Sequence, residues 1–295
     1  MVHYTKCPLC SSEEIGKYLK TDDHFLSKET FLLFKCSGCG FIFTQDHPDE
    51  SEIGHYYKSE KYLSHNDTVH GFSDILYRLS RNVMLKKKLR IIKRFTGLRK
   101  GNLLDVGTGS GHFAAFMKEK GWIVKGIEIN EKVREVSVSR FGLDILSPGQ
   151  IITLQSEGFD CVTLWHVLEH LQDPFKYASE IRRLLKPGGT CIVALPNCNS
   201  YDAYYYKAFW AAYDVPRHLW HFTPQTFKNF TEKTGFMLKE IKALSFDVFY
   251  IASLSEKYKM SNLHFISGMI RGLWFAFLSW FKKDRSSSLI YLLKK

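Results

Sequence analysis

The sequence predicts an α/β protein, a mostly parallel sheet with helices on both faces, preceded by a small cysteine-built module. Three observations carry this. Apolar runs alternate with helical stretches from residue 102 onward, a glycine-rich bend (GTGSG) follows the first run, and two Cys-x-x-Cys pairs precede them all. Strands separated by helices imply parallel pairing, because a crossover helix returns the chain to the end of the sheet where it began. At 295 residues, 45 % apolar and 24 % charged, the chain can bury a sizeable core and matches neither disordered nor collagenous composition.

The first element is the cysteine module, residues 1–45. Cys7 and Cys10 lie in CPLC and Cys36 and Cys39 in CSGC, with 25 residues between the pairs. Each pair can offer two thiolates from a tight turn, and four thiolates complete a tetrahedral zinc site. With no open coordination position, such a site holds a fold together rather than catalysing. MVHYTKCPLC has no apolar h-region, so a reducing, cytoplasmic compartment is expected, where disulfides are the weaker explanation. The intervening KYLKTDDHFLSKETFLLFKC has β-type residues around a polar turn, as in a zinc ribbon closing near Phe43. Cys161, Cys191 and Cys198 sit in apolar surroundings and read as packed hydrophobes.

Residues 46–98 read as a polar, aromatic linker and a lead-in helix. Tyr57 and Tyr62 could cover a ligand as a lid or simply pack beneath the linker. In DILYRLSRNVMLKKKLRIIKRF, the residues Ile75, Leu79, Val83, Leu89, Ile92 and Phe95 recur near helical spacing.

The main domain, 99–295, starts with a buried strand at 103–106. Its glycines then let the backbone turn sharply and approach a ligand, and HFAAFMKEKG continues as a helix ending at Gly121. A second strand, WIVKGIEI, carries Glu128 near its end. An acid there, about 20 residues past the glycines, accepts hydrogen bonds from ribose hydroxyls. The bend Gly107–Gly109–Gly111 is G-x-G-x-G, neither the pyrophosphate-binding G-x-G-x-x-G nor a Walker loop. FDCVTLW (159–165) reads as a strand, DPFKYASEIRRLLKPGG as a helix stopped by Pro-Gly-Gly, and TCIVALPN (190–197) as a strand. FMLKEIKALSF and SLIYLLKK supply the last two strands around an aromatic, apolar insertion at about 247–285.

DVGTGSG, GIEI, FDCVTLWHVLEHL and LLKPGG, in that order, resemble the ordered motifs of class I S-adenosylmethionine-dependent methyltransferases over about two thirds of the chain. The resemblance implies a Rossmann-like sheet of seven strands, the last antiparallel, with S-adenosylmethionine as cofactor. It also implies that Asp105, Gly107, Gly109 and Gly111 surround the methionine and ribose, with Asp105 acting by fixing the loop, and that Glu128 holds the ribose diol. Trp165 and His166, at the carboxyl end of a parallel strand, would lie beside the cofactor.

HVLEH also matches the H-x-x-E-H of one class of zinc peptidases, which needs both histidines on one helix. Here it follows a strand directly and precedes the proline of LQDP, which puts it at a strand-to-helix junction. His170 is therefore read as an ordinary hydrogen-bonded histidine.

Methyl transfer from a sulfonium requires an acceptor held in line, water excluded and, where a proton is lost, a base. The acceptor pocket is expected in NCNSYDAYYYKAFWAAYDVPRHLWHFTPQTF. Its DVPRHLWHFTPQT resembles a bacterial subgroup with a four-cysteine module, some members of which are linked to sugar or surface-polysaccharide assembly. On that analogy Asp214, Arg217 and His218 bind a small-molecule or glycan-type acceptor, with His218 as the base. Alternatively, Asp214 and Arg217 pair with each other, and His218 or His221 caps the helix TPQTFKNFTEKTG.

The formal charge of +11 and pI of 9.2 suit an anionic partner or a solvated basic face. An RNA base methyltransferase using the zinc module for RNA is one alternative function, although HVLEH stands where an Asn-Pro-Pro-Tyr-like motif would be. A non-catalytic scaffold is another, and the intact glycines and Glu128 argue against it. In residues 263–285, the ten-residue GLWFAFLSWF is too short to span a bilayer. Interfacial membrane contact, an oligomer contact and a core-packed helix all remain open for it.

Overall fold

A computed structural model describes residues 1–57, 72–244 and 246–295, with side chains of the first long helix from Arg81 on. Ile75, Leu79 and Tyr62 fall outside the described side chains. The chain opens with β1 (Ile15–Asp22), β2 (Thr30–Cys36) and β3 (Ile42–Gln45), followed by α1 (Phe72–Thr96). Alternation then begins with β4 (Asn102–Val106), α2 (His112–Glu119), β5 (Ile123–Ile127), α3 (Glu131–Phe141) and β6 (Asp144–Leu146). It continues through β7 (Phe159–Trp165), α4 (Pro174–Leu184) and β8 (Leu185–Pro196). The remaining elements are α5 (Tyr201–Tyr206), β9 (Trp220–His221), α6 (Pro224–Lys233), β10 (Met237–Ala243), α7 (Asp247–Tyr258), α8 (His264–Phe281) and β11 (Ser288–Lys294).

Seven strands form one sheet in the order β10-β11-β8-β7-β4-β5-β6. The pairs β4–β5, β4–β7 and β5–β6 are parallel. β11 runs against β8: the Asn197 amide donates to the Ser287 carbonyl while, at the other end, the Lys295 amide donates to the Gly189 carbonyl. Leu103, Leu104, Cys161, Val162, Leu164, Ile192 and Ala194 are fully buried, which is why the central strands read as mainly apolar runs.

Two boundaries differ from the sequence reading. The helix expected to run into LLKPGG stops at Leu184, and β8 begins five residues ahead of residue 190. Pro187 disfavours helix in the residue before it, and Gly188 takes φ +71°. In α1 the buried residues include Leu85, Ile91 and Ile92, whereas Val83 is 53 % exposed. Two positions separate Val83 from Leu85, about 200° around the helix.

Packing divides the chain into two compact units that are not consecutive in sequence. The first comprises Met1–Lys58, His166–Pro174 and Ala194–Tyr291; the second comprises Ser59–Trp165, Phe175–Val193 and Leu292–Lys295. In the first unit β1, β2, β3 and β9 make an antiparallel sheet, with Ile42 opposite His221 and Phe43 opposite Trp220. β9 covers the edge of β3 that faces away from β2. The cysteine-bearing segment therefore shares its sheet with a strand some 180 residues on. Phe41 stacks on Trp220 and tilts against Phe222 beneath it. In the insertion, α7 and α8 approach closely at Gly268 and Gly272. A Cβ on Gly268 would stand 2.3 Å from the Ser253 Cα, and one on Gly272 would stand 2.8 Å from a Phe249 ring carbon.

Candidate active site

In the second unit, the end of β4 is tied to the end of β5. The Gly107 and Thr108 amides donate to the Ile127 carbonyl at 2.7 and 2.9 Å. Gly107, Gly109 and Gly111 all adopt positive φ (72°, 56° and 77°), which bends the chain into α2 without the penalty a side chain would bring. Glu128 closes the loop: one carboxylate oxygen accepts from the Gly109 amide at 2.9 Å and the other from the Asn130 amide at 2.9 Å. A carboxylate has about four lone-pair sites, so Glu128 keeps capacity for ligand hydroxyls. A Cβ built on Gly109 meets nothing within 4 Å, whereas one on Gly111 would press Ser137 and Leu143 at 3.0 Å. The loop is thus open on one side and packed on the other, a cradle suited to the ribose and methionine of a nucleoside sulfonium.

Asp105 lies beneath this loop and is buried. It accepts the Thr163 hydroxyl at 2.7 Å. Burial pushes its pKa up to about 7, outweighing the opposing effects of Thr163 and Lys88. Trp165 ends β7 with its ring edge-on to Phe113 at 5.8 Å and the Lys88 ammonium 4.1 Å from its centroid. Sequence reasoning missed Thr108, Gly126 and Ser137. The Thr108 hydroxyl donates to the Asp105 carbonyl at 2.8 Å, a Cβ on Gly126 would come within 2.4 Å of that hydroxyl, and the Ser137 hydroxyl holds the Gly109 carbonyl at 3.1 Å. The glycine of GIEI, inside a strand, was the available signal of a close approach.

In the first unit, His166 takes φ 58°, a conformation rare outside glycine. Its ring stands between Asp247, 2.8 Å from Nε2, and Glu169, 3.3 Å from Nδ1. Burial opposes its charge, yet the two carboxylates prevail and raise its pKa to about 10, so the ring is an imidazolium at neutral pH. Arg217 is 2 % exposed and forks both to Asp214 (2.6 and 3.0 Å) and to Asp23 (2.8 and 3.3 Å). Asp23 in turn accepts the amides of Phe25, Leu26 and Ser27. Asp214 and Arg217 are thus bound to each other and to the N-terminal segment.

His218 is buried, with Nδ1 2.8 Å from the Ala212 carbonyl. A carbonyl only accepts, so Nδ1 carries the hydrogen and Nε2 the lone pair. His170 Nδ1 likewise faces the Arg217 carbonyl at 3.1 Å, with the Tyr57 hydroxyl at 2.9 Å. The two imidazole rings stand 4.5 Å apart. Neither His218 nor His221 caps α6. Thr223 does so, accepting from the Thr226 amide at 3.1 Å, while His221 contacts Thr44 at 3.1 Å. HVLEH follows the end of β7 as a bend at His166 and a short 3-10 turn over Leu168–His170, so its histidines do not share an α-helix face.

The four module cysteines converge. Cys7 and Cys39 sulfurs stand 3.7 Å apart, Cys10 and Cys36 sulfurs 3.5 Å, and all four lie within 4.8 Å of one another. A tetrahedron with 2.3 Å metal–sulfur bonds has sulfur–sulfur edges of about 3.8 Å, whereas a disulfide needs about 2.05 Å. Tight turns deliver the thiols, with the Ser11 amide donating to the Cys7 carbonyl and the Gly40 amide to the Cys36 carbonyl. The donor set fits zinc.

A family model described as a methyltransferase domain matches residues 78–241, more than half of the chain. The ubiquinone biosynthesis O-methyltransferase of Coxiella burnetii is 29 % identical over 132 residues, covering 43 % of this chain and 56 % of that protein. The enzyme of the same name from Pseudomonas entomophila is 28 % identical over 185 residues, 58 % of this chain and 77 % of its own. The chain thus spans little more than half the length of the first of these relatives. Phosphoethanolamine N-methyltransferase 2 of Haemonchus contortus, solved with S-adenosyl-L-methionine, superposes with a TM-score of 0.54 at 16 % identity, over 95 % of this chain and 68 % of its own. The glycine cradle at the end of β4, the seven-stranded order with one reversed strand and the family match converge: the chain belongs to the methyltransferase-domain family and has the fold of S-adenosylmethionine-dependent methyltransferases.

Proposed function

We propose that this chain transfers a methyl group from S-adenosylmethionine to an oxygen of a small-molecule acceptor. The observation that carries the reading is the loop Gly107–Gly111 held open by Glu128, with two amides on one carboxylate and spare lone pairs for a ribose diol. The acceptor oxygen attacks the methyl carbon in line. The carbon–sulfur bond breaks with its electron pair going to sulfur, and the hydroxyl proton leaves to a base. In-line alignment and exclusion of water supply most of the acceleration, because the sulfonium is already an activated leaving group. The names of the curated relatives, O-methyltransferases, support oxygen as the acceptor atom. They lend no support to the glycan acceptor expected from DVPRHLWHFTPQT, and no observation favours RNA.

Asp105 fixes the loop from below, and Trp165 walls the strand end. Asp214 and Arg217, locked into a buried network with Asp23, act as positioning residues for the segment that bears His218. Cys7, Cys10, Cys36 and Cys39 hold a structural zinc ion, whose closed coordination leaves it no part in the transfer.

The exposed face of α8 and the cations after it rest on an anionic membrane surface. Phe265, Ile266, Ile270, Leu273, Trp274, Phe277, Trp280 and Phe281 are exposed, while Gly268, Gly272 and Phe275 face inward. Lys282, Lys283 and Arg285 follow at once, which complements anionic headgroups. No helix of the described residues is long and apolar enough to cross a membrane.

The decisive test of the reaction is mass spectrometry of hydroxylated small molecules incubated with the protein and S-adenosylmethionine bearing an isotope-labelled methyl. A labelled methyl on product oxygen is expected. Label on nitrogen or carbon alone, or cofactor turnover without any labelled product, would contradict the assignment.

A further inference from the structure

We propose that Glu169, His170 and His218 form a second metal site, taking a divalent transition-metal ion such as zinc or cobalt with at least one coordination position left open. One ligand atom from each of the three residues lies within 4.8 Å of the others. The residues come from two segments of the first unit, the 3-10 turn after β7 and the loop before β9, and the Leu219 amide clamps them together by donating to the Glu169 carbonyl at 2.8 Å.

Two independent features point to a ligand. The first is how the imidazoles are held. His218 Nδ1 is anchored on the Ala212 carbonyl, so that ring presents Nε2 as the lone-pair nitrogen, and His170 Nδ1 is held between the Arg217 carbonyl at 3.1 Å and the Tyr57 hydroxyl at 2.9 Å, which leaves its Nε2 facing away from both. Proteins fix metal-binding histidines in this way, with an outer carbonyl or carboxylate setting the tautomer and the ring direction. The second is Glu169. It is 1 % exposed; one carboxylate oxygen lies 3.3 Å from His166, and the other, Oε2, is buried with no hydrogen-bond partner among the described residues. An unsatisfied buried carboxylate oxygen is costly, and a coordinated cation removes the cost.

The chemistry of the set separates it from the cysteine site. Two imidazoles and one carboxylate suit zinc, cobalt or iron and leave room for an exogenous ligand, whereas four thiolates leave none. The open position would take an exogenous oxygen ligand, and metal binding itself does not depend on the methyl-transfer reading above. With an ion in place, the His218 lone pair bonds the metal.

The test uses the full chain, loaded with cobalt(II) or zinc(II), freed of loose metal and assayed for metal per protein and for its cobalt spectrum. Two ions per chain are expected, one with thiolate-to-cobalt charge-transfer bands and one with only the weaker bands of nitrogen and oxygen ligands. Glu169→Gln and His218→Ala should each remove the second ion and its bands and leave the thiolate bands intact. Those intact bands report that the chain is folded, and Glu169→Gln is the near-isosteric variant should His218→Ala fail to fold. A wild-type chain that holds only thiolate-bound metal, or a second ion that survives both substitutions, would overturn the site. S-adenosylmethionine calorimetry on the same samples separates the two readings. Two ions with no cofactor binding would sink methyl transfer and keep the metal, and cofactor binding with a single ion would do the reverse.

Discussion

Asp105 and Arg217 show how differently two buried charges can be settled. Asp105 has one strong hydrogen bond, from Thr163, and burial raises its pKa from 3.8 to about 7. The folded state therefore holds that proton more tightly than the unfolded chain. The associated stability is fully present below about pH 4 and is lost as the pH rises through about 7. Urea unfolding of the wild type should show stability falling over that window relative to Asp105→Asn, and parallel pH profiles for the two proteins would refute this. Arg217 instead has two carboxylates and the Tyr56 carbonyl around it. Arg217→Met leaves Asp23 and Asp214 without their cation and should cost about 3–5 kcal/mol of unfolding free energy. A loss below about 1 kcal/mol would show the network to be solvated. At this scale the spacing of glycines and acid made the bent loop and its pairing with Glu128 legible, because both lie within one β-α-β unit. The partnership of Arg217 with Asp23 was not legible, since the residues are 194 positions apart and only the fold brings them together.

Between elements, small residues decide how closely backbones approach. Gly268 and Gly272, one turn apart on α8, let it lie against Ser253 and Phe249 of α7. Gly268→Val must push the helices apart or strain them, an overpacking cost of about 1–3 kcal/mol that should appear as a lower melting temperature. An unchanged melting temperature would mean that the pair is loosely packed. The four-cysteine module obeys a similar logic of local support, since β1–β3 are short and the thiols sit at the turn before β1 and at the turn between β2 and β3. Chelation should destabilise the chain and expose the thiols to a disulfide reagent, and zinc should reverse both effects. Strand positions were legible because β4, β5 and β7 are apolar runs of the right length. The α4–β8 boundary and the register of α1 were not, because Pro187 acts on the residue before it and apolar spacing alone cannot separate Val83 from Leu85. His170 is hydrogen-bonded as the sequence led one to expect, but its meeting with His218 was not legible, because the two are 48 positions apart and no local pattern announces it.

For the whole molecule, charge and exposed apolar surface point the same way. A chain of net charge +11 that displays two tryptophans and several phenylalanines beside Lys282 and Lys283 should sediment with vesicles containing phosphatidylglycerol and stay in solution with purely zwitterionic ones. Trp280→Ser with Trp274→Ser should abolish sedimentation without altering cofactor affinity. Equal behaviour on both vesicle types would remove the membrane from the reading. The central claim is tested most directly by calorimetric titration of the full chain with S-adenosylmethionine, comparing wild type with Glu128→Ala. One site per chain is expected, with affinity lowered about tenfold or more by the substitution, as loss of hydrogen bonds to a charged group requires. Absence of binding by the wild type, or equal affinity in the variant, would contradict the assignment of this loop and carboxylate to the cofactor.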